Sequence, residues 1–258
     1  MERKGPFRKL WRLPIGDARA MRRVRQQIRQ VARTDAPVLI CGEPGSGKEL
    51  VAKVIYQMST RSDKPFVKVR CDEMSAELLE RELFGHVRGA FAGARNAGTG
   101  SLETARGGTV FFDEIAALTP LTQSKLLRLL QEHEFEPLGS GTSVLADIRV
   151  LAATRRPLEE LVRGGTFRLD LYYRLAVFPI QVPPLRKHRS DIPALVDYFI
   201  TQHARLLSKT ARGVSWSAMD VLKHHRWPGN VRELEACIEK ALRASSDGWV
   251  RSHHLSLA

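Results

Sequence analysis

A glycine-rich segment constrains this sequence more than any other feature. Pro37-Val-Leu-Ile-Cys41 is an apolar run of the kind found in buried parallel strands, and Gly42-Glu-Pro-Gly-Ser-Gly-Lys48 follows it directly. The second segment fits the G-x-x-x-x-G-K core of a phosphate-binding loop, in which backbone N–H groups surround a phosphate chain and the lysine reaches the terminal phosphates. The sequence therefore predicts a strand, a loop and a helix that bind a nucleotide. The predicted binding residues of the loop are Gly42, Glu43, Pro44, Gly45, Ser46, Gly47 and Lys48.

Two adjacent carboxylates end a second apolar run, Val110-Phe-Phe-Asp113-Glu114, which has the form of a Walker B element. Successive side chains of a strand point to opposite faces, so we expect Asp113 to face a magnesium ion and Glu114 to face an attacking water. Glu49 stands where Ser or Thr usually meets that ion. The pair of acids predicts hydrolysis of the bound nucleotide with Mg²⁺, with Asp113 as the metal ligand.

Alternating patterns predict the fold class. Strand patterns at 65–69, 109–112 and 148–153 alternate with helical patterns at 77–84 and 121–132, and a further helix is expected over 17–32 with Asp17 as its cap. Such alternation predicts an α/β three-layer sandwich with a parallel sheet. After Pro183-Pro184 the patterns are helical, at 191–207, 218–225 and 230–245. We predict an α/β nucleotide-binding domain over 1–184 and a small all-helical lid over 185–258.

The charge balance favours polyanionic partners. The formal net charge is +13, and residues 1–33 hold eleven basic residues against two acidic ones, so most of the excess lies there. A solvated or inter-subunit surface and a nucleic-acid contact both stay open for this arm. No run approaches the roughly 18 apolar residues of a membrane span and no signal peptide begins the sequence, so we expect a cytoplasmic protein without membrane contact. Three widely spaced cysteines argue against a zinc site or a disulfide framework.

Six motifs in order carry a family resemblance over almost the whole chain. They are Gly42 to Leu50, Glu82-Leu-Phe-Gly-His86, Gly89-Ala-Phe-Ala-Gly-Ala94, Gly107 to Ile115, Phe167 to Arg174 and Trp227-Pro-Gly-Asn-Val-Arg-Glu-Leu234. In these the chain resembles the AAA+ domain of bacterial enhancer-binding proteins, the activators of sigma-54 RNA polymerase. The resemblance implies a ring, usually a hexamer, whose ATP hydrolysis moves a surface loop and remodels the closed promoter complex.

The resemblance also assigns roles to single residues. Arg168 and Arg174 match arginine fingers that reach the ATP of a neighbouring subunit, whereas Arg232 matches the sensor II arginine and Thr154 the polar sensor I position. Glu49 and Leu50 extend the nucleotide-binding motif, and Glu49 is ordinary for the family. The loop that contacts sigma-54 corresponds to Gly89, Ala90, Phe91, Ala92, Gly93 and Ala94. Family members usually add a regulatory domain and a helix-turn-helix domain, for which the 258 residues have no room, so DNA recognition is expected from a missing segment or a partner.

Three positions depart from the family pattern. Ala92 stands where the contact loop has Thr, so Phe91 remains as an exposed aromatic anchor without the neighbouring hydroxyl. Arg70 stands where the family has an Asn that restrains the Walker B glutamate, and we expect Arg70 to pair with Glu114 and gate hydrolysis. Arg155 replaces the Asn that commonly ends the sensor I motif. These changes leave the phosphate and magnesium residues intact but alter the gate and the output loop.

Two functions follow as alternatives. The first is an ATP-hydrolysing regulator that remodels sigma-54 RNA polymerase as a ring. The second is a degenerate nucleotide-binding scaffold or antagonist with weak ATPase activity, favoured by Ala92 and Arg70 and opposed by the intact acid pair and both arginine fingers. A generic P-loop remodeller or small-molecule kinase lacks support because the sequence has no acceptor-site motif.

Overall fold

The computed structural model describes residues 14–257, which form two units. One unit contains Gln27–Cys41 and Glu49–Ile180, and we call it the sheet unit. The other contains residues 14–26, Gly42–Lys48 and 181–257, and we call it the lid unit. The domain boundary between residues 184 and 185 stays a prediction. The first part of the basic arm, with Arg3, Lys4, Arg8, Lys9 and Arg12, lies outside the described residues.

A five-stranded sheet with the order β2-β3-β6-β1-β7 organises the sheet unit. Its strands are β1 (Val38–Cys41), β2 (Phe66–Arg70), β3 (Thr109–Asp113), β6 (Arg149–Thr154) and β7 (Phe178–Gln181). The pairs β2·β3, β3·β6 and β6·β1 are parallel. Val110, Phe111 and Phe112 are all buried although their side chains alternate between faces, so both faces of the sheet are covered. The predicted α/β class with a parallel sheet is confirmed.

Between residues 19 and 175 the chain also forms seven α-helices and a small hairpin. The helices are α1 (Arg19–Ala32), α2 (Lys48–Gln57), α3 (Ala76–Phe84), α4 (Ser101–Thr104), α5 (Pro120–Glu132), α6 (Leu158–Arg163) and α7 (Leu169–Leu175). Two of them begin at side-chain caps, because Ser75 accepts from the Leu78 N–H and Thr119 accepts from the Thr122 N–H. The hairpin pairs β4 (Glu134–Phe135) with β5 (Val144–Leu145).

A buried arginine closes the end of α1. Arg149 begins β6 with 1% of its surface exposed, and its guanidinium donates to the carbonyl oxygens of Ala32 and Val31, both at 2.8 Å. These carbonyls belong to the last turn of α1, where backbone acceptors have no partner within the helix. Burial lowers the pKa of Arg149 to about 10, which leaves the guanidinium charged near neutrality. Arg149 therefore caps α1 from the sheet.

The lid unit is mainly helical. It contains α8 (Ile192–Leu206), α9 (Trp216–His224) and α10 (Asn230–Ala244), and a short parallel ladder joins β8 (Gly213–Val214) to β9 (Trp249–Val250). Trp227 is fully buried in its core and its indole N–H donates to the Leu222 carbonyl at 2.8 Å. None of the helices within residues 14–257 is long and apolar enough to span a membrane.

Asp191 holds the start of the described chain. Its Oδ1 accepts hydrogen bonds from the N–H groups of Asp17 (2.8 Å) and Ala18 (2.9 Å), and its Oδ2 lies 3.1 Å from Nδ1 of His188. The predicted capping of α1 by Asp17 is wrong. Its carboxylate instead bonds to the Arg25 guanidinium at 3.2 Å, and α1 begins two residues later than the pattern predicted. Asp191 thus binds the backbone of the two residues that precede α1.

Candidate functional site

Two glycines shape the phosphate loop, residues 42–48 of the lid unit. Gly45 and Gly47 have φ angles of +72° and +102°, a region that favours glycine. A Cβ on Gly45 would lie 2.2 Å from the carbonyl oxygen of Gly229, so no other residue fits there. The Lys48 ammonium donates to the carbonyl oxygens of Gly42 at 2.9 Å and Glu43 at 3.3 Å. The Lys48 side chain therefore folds back over the first residues of the loop.

The loop has features that fit a phosphate chain. The hydroxyl of Ser46 is buried and has no hydrogen-bond partner within residues 14–257. A Cβ on Gly47 would meet no atom within 4 Å, so space remains beside the backbone. Lys48 is the first residue of α2, and the N-terminus of a helix favours an anion through its N–H groups and the helix dipole. A phosphate would satisfy the buried hydroxyl and the helix N-terminus together.

Asn230 connects the loop to the rest of the lid unit. The side chain is fully buried, and its amide group donates to the Pro44 carbonyl at 3.0 Å and to Oε2 of Glu43 at 3.2 Å. Its Oδ1 accepts from the Leu185 N–H at 2.8 Å. The φ of +56° at Asn230 is a left-handed conformation that asparagine tolerates better than most residues. One amide therefore fixes the position of the loop.

Further contacts support the loop from the same unit. Arg186 donates to both carboxylate oxygens of Glu43, at 2.6 and 2.5 Å, and this bidentate contact lowers the pKa of Glu43 to about 2. The Gly45 carbonyl accepts from the N–H groups of Val231 (3.1 Å) and Arg232 (3.3 Å). The backbone of the predicted sensor II residue thus contacts the loop, and its side chain is exposed.

Replacing Asn230 by aspartate should loosen the loop. Aspartate keeps the acceptor for the Leu185 N–H but loses both donors and adds a negative charge beside Glu43. We expect the free energy of unfolding to fall by about 2 kcal/mol, because the Pro44 carbonyl and Glu43 lose a partner. Urea unfolding and ADP titration measure the effect, and we expect ADP binding to weaken about ten-fold. Asn96→Asp, which adds the same charge in an exposed loop, is the control. Unchanged ADP affinity in Asn230→Asp would contradict this role.

The acid pair lies in the sheet unit at the end of β3. Asp113 is the last residue of the strand, and Glu114 has a φ of +58° that turns the chain out of it. Oε2 of Glu114 accepts from the backbone N–H of Arg155 at 3.1 Å, and the Arg155 guanidinium lies 3.8 Å away. Arg155 follows the neighbouring strand β6. Glu114 is therefore oriented from the adjacent strand end.

The predicted pairing of Arg70 with Glu114 is wrong. Arg70 is exposed and donates to both carboxylate oxygens of Glu73, at 2.7 and 2.8 Å. Glu73 is only three residues from Arg70, so this ion pair forms locally. Arg155 lies beside Glu114 instead. Any cationic influence on that glutamate is therefore expected from Arg155.

Lys68 contacts two carboxylates and was not singled out by the sequence. Its ammonium lies 2.8 Å from Oδ2 of Asp113 and 2.7 Å from Oε2 of Glu49, and Lys53 forms a further ion pair with Glu49. Although partial burial opposes ionisation, the hydrogen bonds from Lys53 and Lys68 lower the pKa of Glu49 to about 2. The sequence signal that could have identified Lys68 is its place as a lysine within the otherwise apolar strand pattern Phe66-Val-Lys-Val.

Thr154 ends β6 at the same edge of the sheet. It pairs in register with Cys41, the last residue of β1, and is fully buried. Its hydroxyl donates to the Arg156 carbonyl at 2.9 Å and accepts from the Arg156 N–H at 3.0 Å. The carboxyl ends of parallel strands meet at one edge, so Thr154, Asp113 and Glu114 lie at the same edge of the sheet.

Both predicted arginine fingers lie on or beside α7, and both are exposed. The Arg168 guanidinium pairs with Asp170 at 2.7 and 3.0 Å, and its backbone N–H donates to the side chain of Gln123 at 2.8 Å. Arg174 lies in the last turn of the helix. The same region exposes three large apolar side chains, those of Leu169, Tyr173 and Val177.

The predicted contact loop forms a closed turn. The Gly89 N–H donates to the Ala94 carbonyl at 2.9 Å, and Gly89 and Gly93 have φ angles of +84° and +98°. Phe91 and Ala90 are half-buried, whereas Ala92 and Gly93 are exposed. The Phe91 ring packs against the ring of His86, with 4.9 Å between centroids, and the Arg81 guanidinium lies 3.6 Å from its centre. The expectation of an exposed anchor is wrong because these neighbours cover one side of the ring.

Family profiles match both parts of the chain. The profile described as "Sigma-54 interaction domain" matches residues 14–181, and the one described as "AAA+ ATPase lid domain" matches residues 186–258. The chain belongs to the sigma-54 interaction domain family. Membership agrees with the motif order, the parallel sheet and the helical lid.

Relatives of this family are similar over nearly the full chain. "Nitrogen fixation protein VnfA" of Azotobacter vinelandii is 47% identical over 241 residues, 93% of this chain and 46% of the relative. "Transcriptional regulatory protein ZraR" of Salmonella typhimurium is 46% identical over 95% of this chain and 55% of the relative. The crystal structure of NtrX from Brucella abortus in complex with ADP has a TM-score of 0.88 and 38% identity, over 94% of this chain and 54% of NtrX. The chain thus spans about half the length of these proteins.

Proposed function

We propose that this chain is an ATP-hydrolysing AAA+ regulator that acts on sigma-54 RNA polymerase. One observation carries the proposal: β1 leads directly into the phosphate loop, and β3, which β6 separates from β1, ends at Asp113, the residue before Glu114. Parallel strands place these two carboxyl ends at one edge, where ligands of open α/β sheets bind. NtrX, which is similar over 94% of this chain, has been solved with ADP and with ATP.

Each residue of the proposed site has a chemical role. We assign Lys48 and the buried Ser46 hydroxyl to the phosphates, and Asp113 to a magnesium ion. Magnesium is commonly held by one or two carboxylates together with phosphate oxygens, which is the arrangement proposed for Asp113. Bound magnesium neutralises charge on the phosphates. Glu114, oriented by the Arg155 N–H, positions the attacking water and accepts its proton.

The arginine fingers imply assembly. A guanidinium supplied by a neighbour stabilises charge on the transferred phosphoryl group, so hydrolysis requires at least two subunits. Exposed Arg168 and Arg174 beside the apolar side chains of Leu169, Tyr173 and Val177 have the composition expected of such an interface. We propose a homo-oligomeric ring, with a hexamer as the size usual for the family.

The loop with Phe91 is proposed to contact sigma-54. Its aromatic ring supplies apolar area and its glycines allow movement, so release from Arg81 and His86 would present the ring to a partner. A partner that belongs to RNA polymerase implies a cytoplasmic location. Specific DNA contacts are proposed to come from another segment or another protein.

ATP hydrolysis across a range of protein concentrations tests the proposal. We expect the activity per subunit to rise with concentration, because each site needs a neighbour's arginine. Glu114→Gln controls for contaminating ATPases and should remove the activity. A constant activity per subunit in a concentration range where sedimentation shows only monomers would contradict hydrolysis in a ring.

A second function is favoured by the contact of Arg155 with Glu114. The Arg155 guanidinium, 3.8 Å from the Glu114 carboxylate, competes with an attacking water for that carboxylate, and Ala92 lacks a hydroxyl on the output loop. A nucleotide-binding scaffold or antagonist would then bind ATP and turn it over slowly. Nucleotide binding without turnover at any concentration would support this function, and recovery of turnover in Arg155→Asn would assign the cause.

A further inference from the structure

Lys68 reaches the proposed metal ligand from the edge strand of the sheet. β2 pairs with β3 so that Lys68 lies opposite Phe111 and Arg70 lies opposite Asp113. Residues two apart on a strand share a face, so Lys68 and Asp113 project from the same face of the sheet. This register allows the Lys68 ammonium to contact Oδ2 of Asp113 at 2.8 Å.

The same ammonium also contacts Glu49 at 2.7 Å, so one cation joins two carboxylates. The three side chains are only 20% (Lys68), 24% (Asp113) and 36% (Glu49) exposed, whereas both members of the nearby Arg70–Glu73 pair are more than half exposed. Partial burial reduces screening by water, so these contacts are stronger than an ordinary surface ion pair. Lys68 is therefore a well-held counter-ion of Asp113.

A magnesium ion and an ammonium group compete for the same carboxylate. Both are cations, so they repel each other at short range and each is stabilised by the charge of Asp113. Magnesium binds through one or two carboxylates together with phosphate oxygens, and those oxygens supply the additional negative charge that the ion needs. Glu49 offers Lys68 a second partner when Asp113 is given up.

We propose that Lys68 is a positioning residue that occupies Asp113 until metal and nucleotide bind together. The inference rests on the proposed nucleotide site. By pairing with Asp113, Lys68 keeps the affinity of the protein for magnesium low when no phosphates are bound. It also sets the magnesium concentration at which the complex with ADP or ATP binds the metal. After magnesium and the nucleotide have bound, Lys68 remains paired with Glu49.

Binding of Mn²⁺, followed by electron paramagnetic resonance in the presence of saturating ADP, tests this role on the 258-residue chain. Lys68→Met removes the ammonium and keeps a stem of similar length, and we expect the apparent dissociation constant for Mn²⁺ to fall about five- to ten-fold. Lys53→Met is the matched control because Lys53 pairs with Glu49 and its loss removes the same charge nearby. We expect a change of less than about two-fold there. Lys68→Arg keeps the charge and should bind Mn²⁺ as the wild type does.

The outcomes separate this inference from the proposed site. If all variants bind ADP without metal but Lys68→Met binds Mn²⁺ with unchanged or weaker affinity, competition by Lys68 is overturned. Equal gains in Lys68→Met and Lys53→Met would show a general charge effect and would also overturn it. Failure of every protein to bind ADP would overturn the nucleotide site and this inference with it. Circular dichroism checks folding, and if Lys68→Met does not fold, equal Mn²⁺ affinities of Lys68→Gln and the wild type would overturn the inference.

Discussion

A mixture of the Glu114→Gln and Arg168→Ala proteins should hydrolyse ATP, although neither protein alone should do so. Loss of the general base is expected to slow turnover about 10²–10⁴-fold, and loss of a finger about 10³–10⁵-fold. In a mixed ring, a subunit with intact Glu114 can lie beside a neighbour with intact Arg168. That interface has every proposed catalytic group, so activity returns.

Random assembly sets the size of the recovery. At equal amounts, about a quarter of the interfaces combine an intact base with an intact finger, so we expect about a quarter of wild-type activity. A steady-state phosphate-release assay on the separate and mixed proteins measures this. Arg163→Ala, a change at an exposed arginine ending α6, should leave the wild-type rate unaltered. Mixtures that remain inactive would show that Arg168 does not act on a neighbour's site.

Replacing Arg149 by methionine should lower the free energy of unfolding by about 3 kcal/mol, since a hydrogen bond to a charged donor is worth about 1.5–3 kcal/mol and two are lost. The Ala32 carbonyl would lose its guanidinium donor at the buried end of α1, whereas the Val31 carbonyl would keep the hydrogen bonds that it accepts from Thr34. Part of this loss is offset because the desolvated guanidinium is itself costly to bury. Urea unfolding monitored by circular dichroism gives the value.

Arg106→Met is the control for this substitution, since Arg106 is an exposed arginine of the sheet unit. We expect its effect to stay within about 0.5 kcal/mol. Equal stabilities of Arg149→Met and the wild type would mean that the two guanidinium hydrogen bonds do not stabilise the fold. The role assigned to Arg149 would then be wrong.

Local patterns predicted the sheet well. Continuous apolar runs identify β1, β3 and β6, because a parallel strand covered on both faces has no polar face. β7 was missed because Phe178-Pro-Ile-Gln is short and contains a proline, which disfavours a strand in sequence-based reasoning. Its place beside β1 depends on pairing between residues far apart in the chain.

Motif spacing predicted the phosphate loop and the acid pair, because their chemistry resides in consecutive residues. Contacts between distant residues were not predictable in the same way. Arg70 and Arg155 both lie near the end of β3, and only the register and the competing Glu73 decide which one contacts Glu114. Lys68 was overlooked for the same reason, since Glu49 is 19 residues away from it.

The hydrogen bond that Asp191 accepts from the Asp17 N–H forms late during protein synthesis. The N–H of Asp17 and its acceptor are separated by 174 residues, so this contact cannot form while the first half of the chain is emerging from the ribosome. At about 5–20 residues per second, the segment before α1 waits on the order of 10–35 s for its partner. Throughout that interval the N–H groups of Asp17 and Ala18 lack their Asp191 acceptor, so residues 14–18 are available to chaperones and proteases. Final attachment of the first helix is therefore a late folding event.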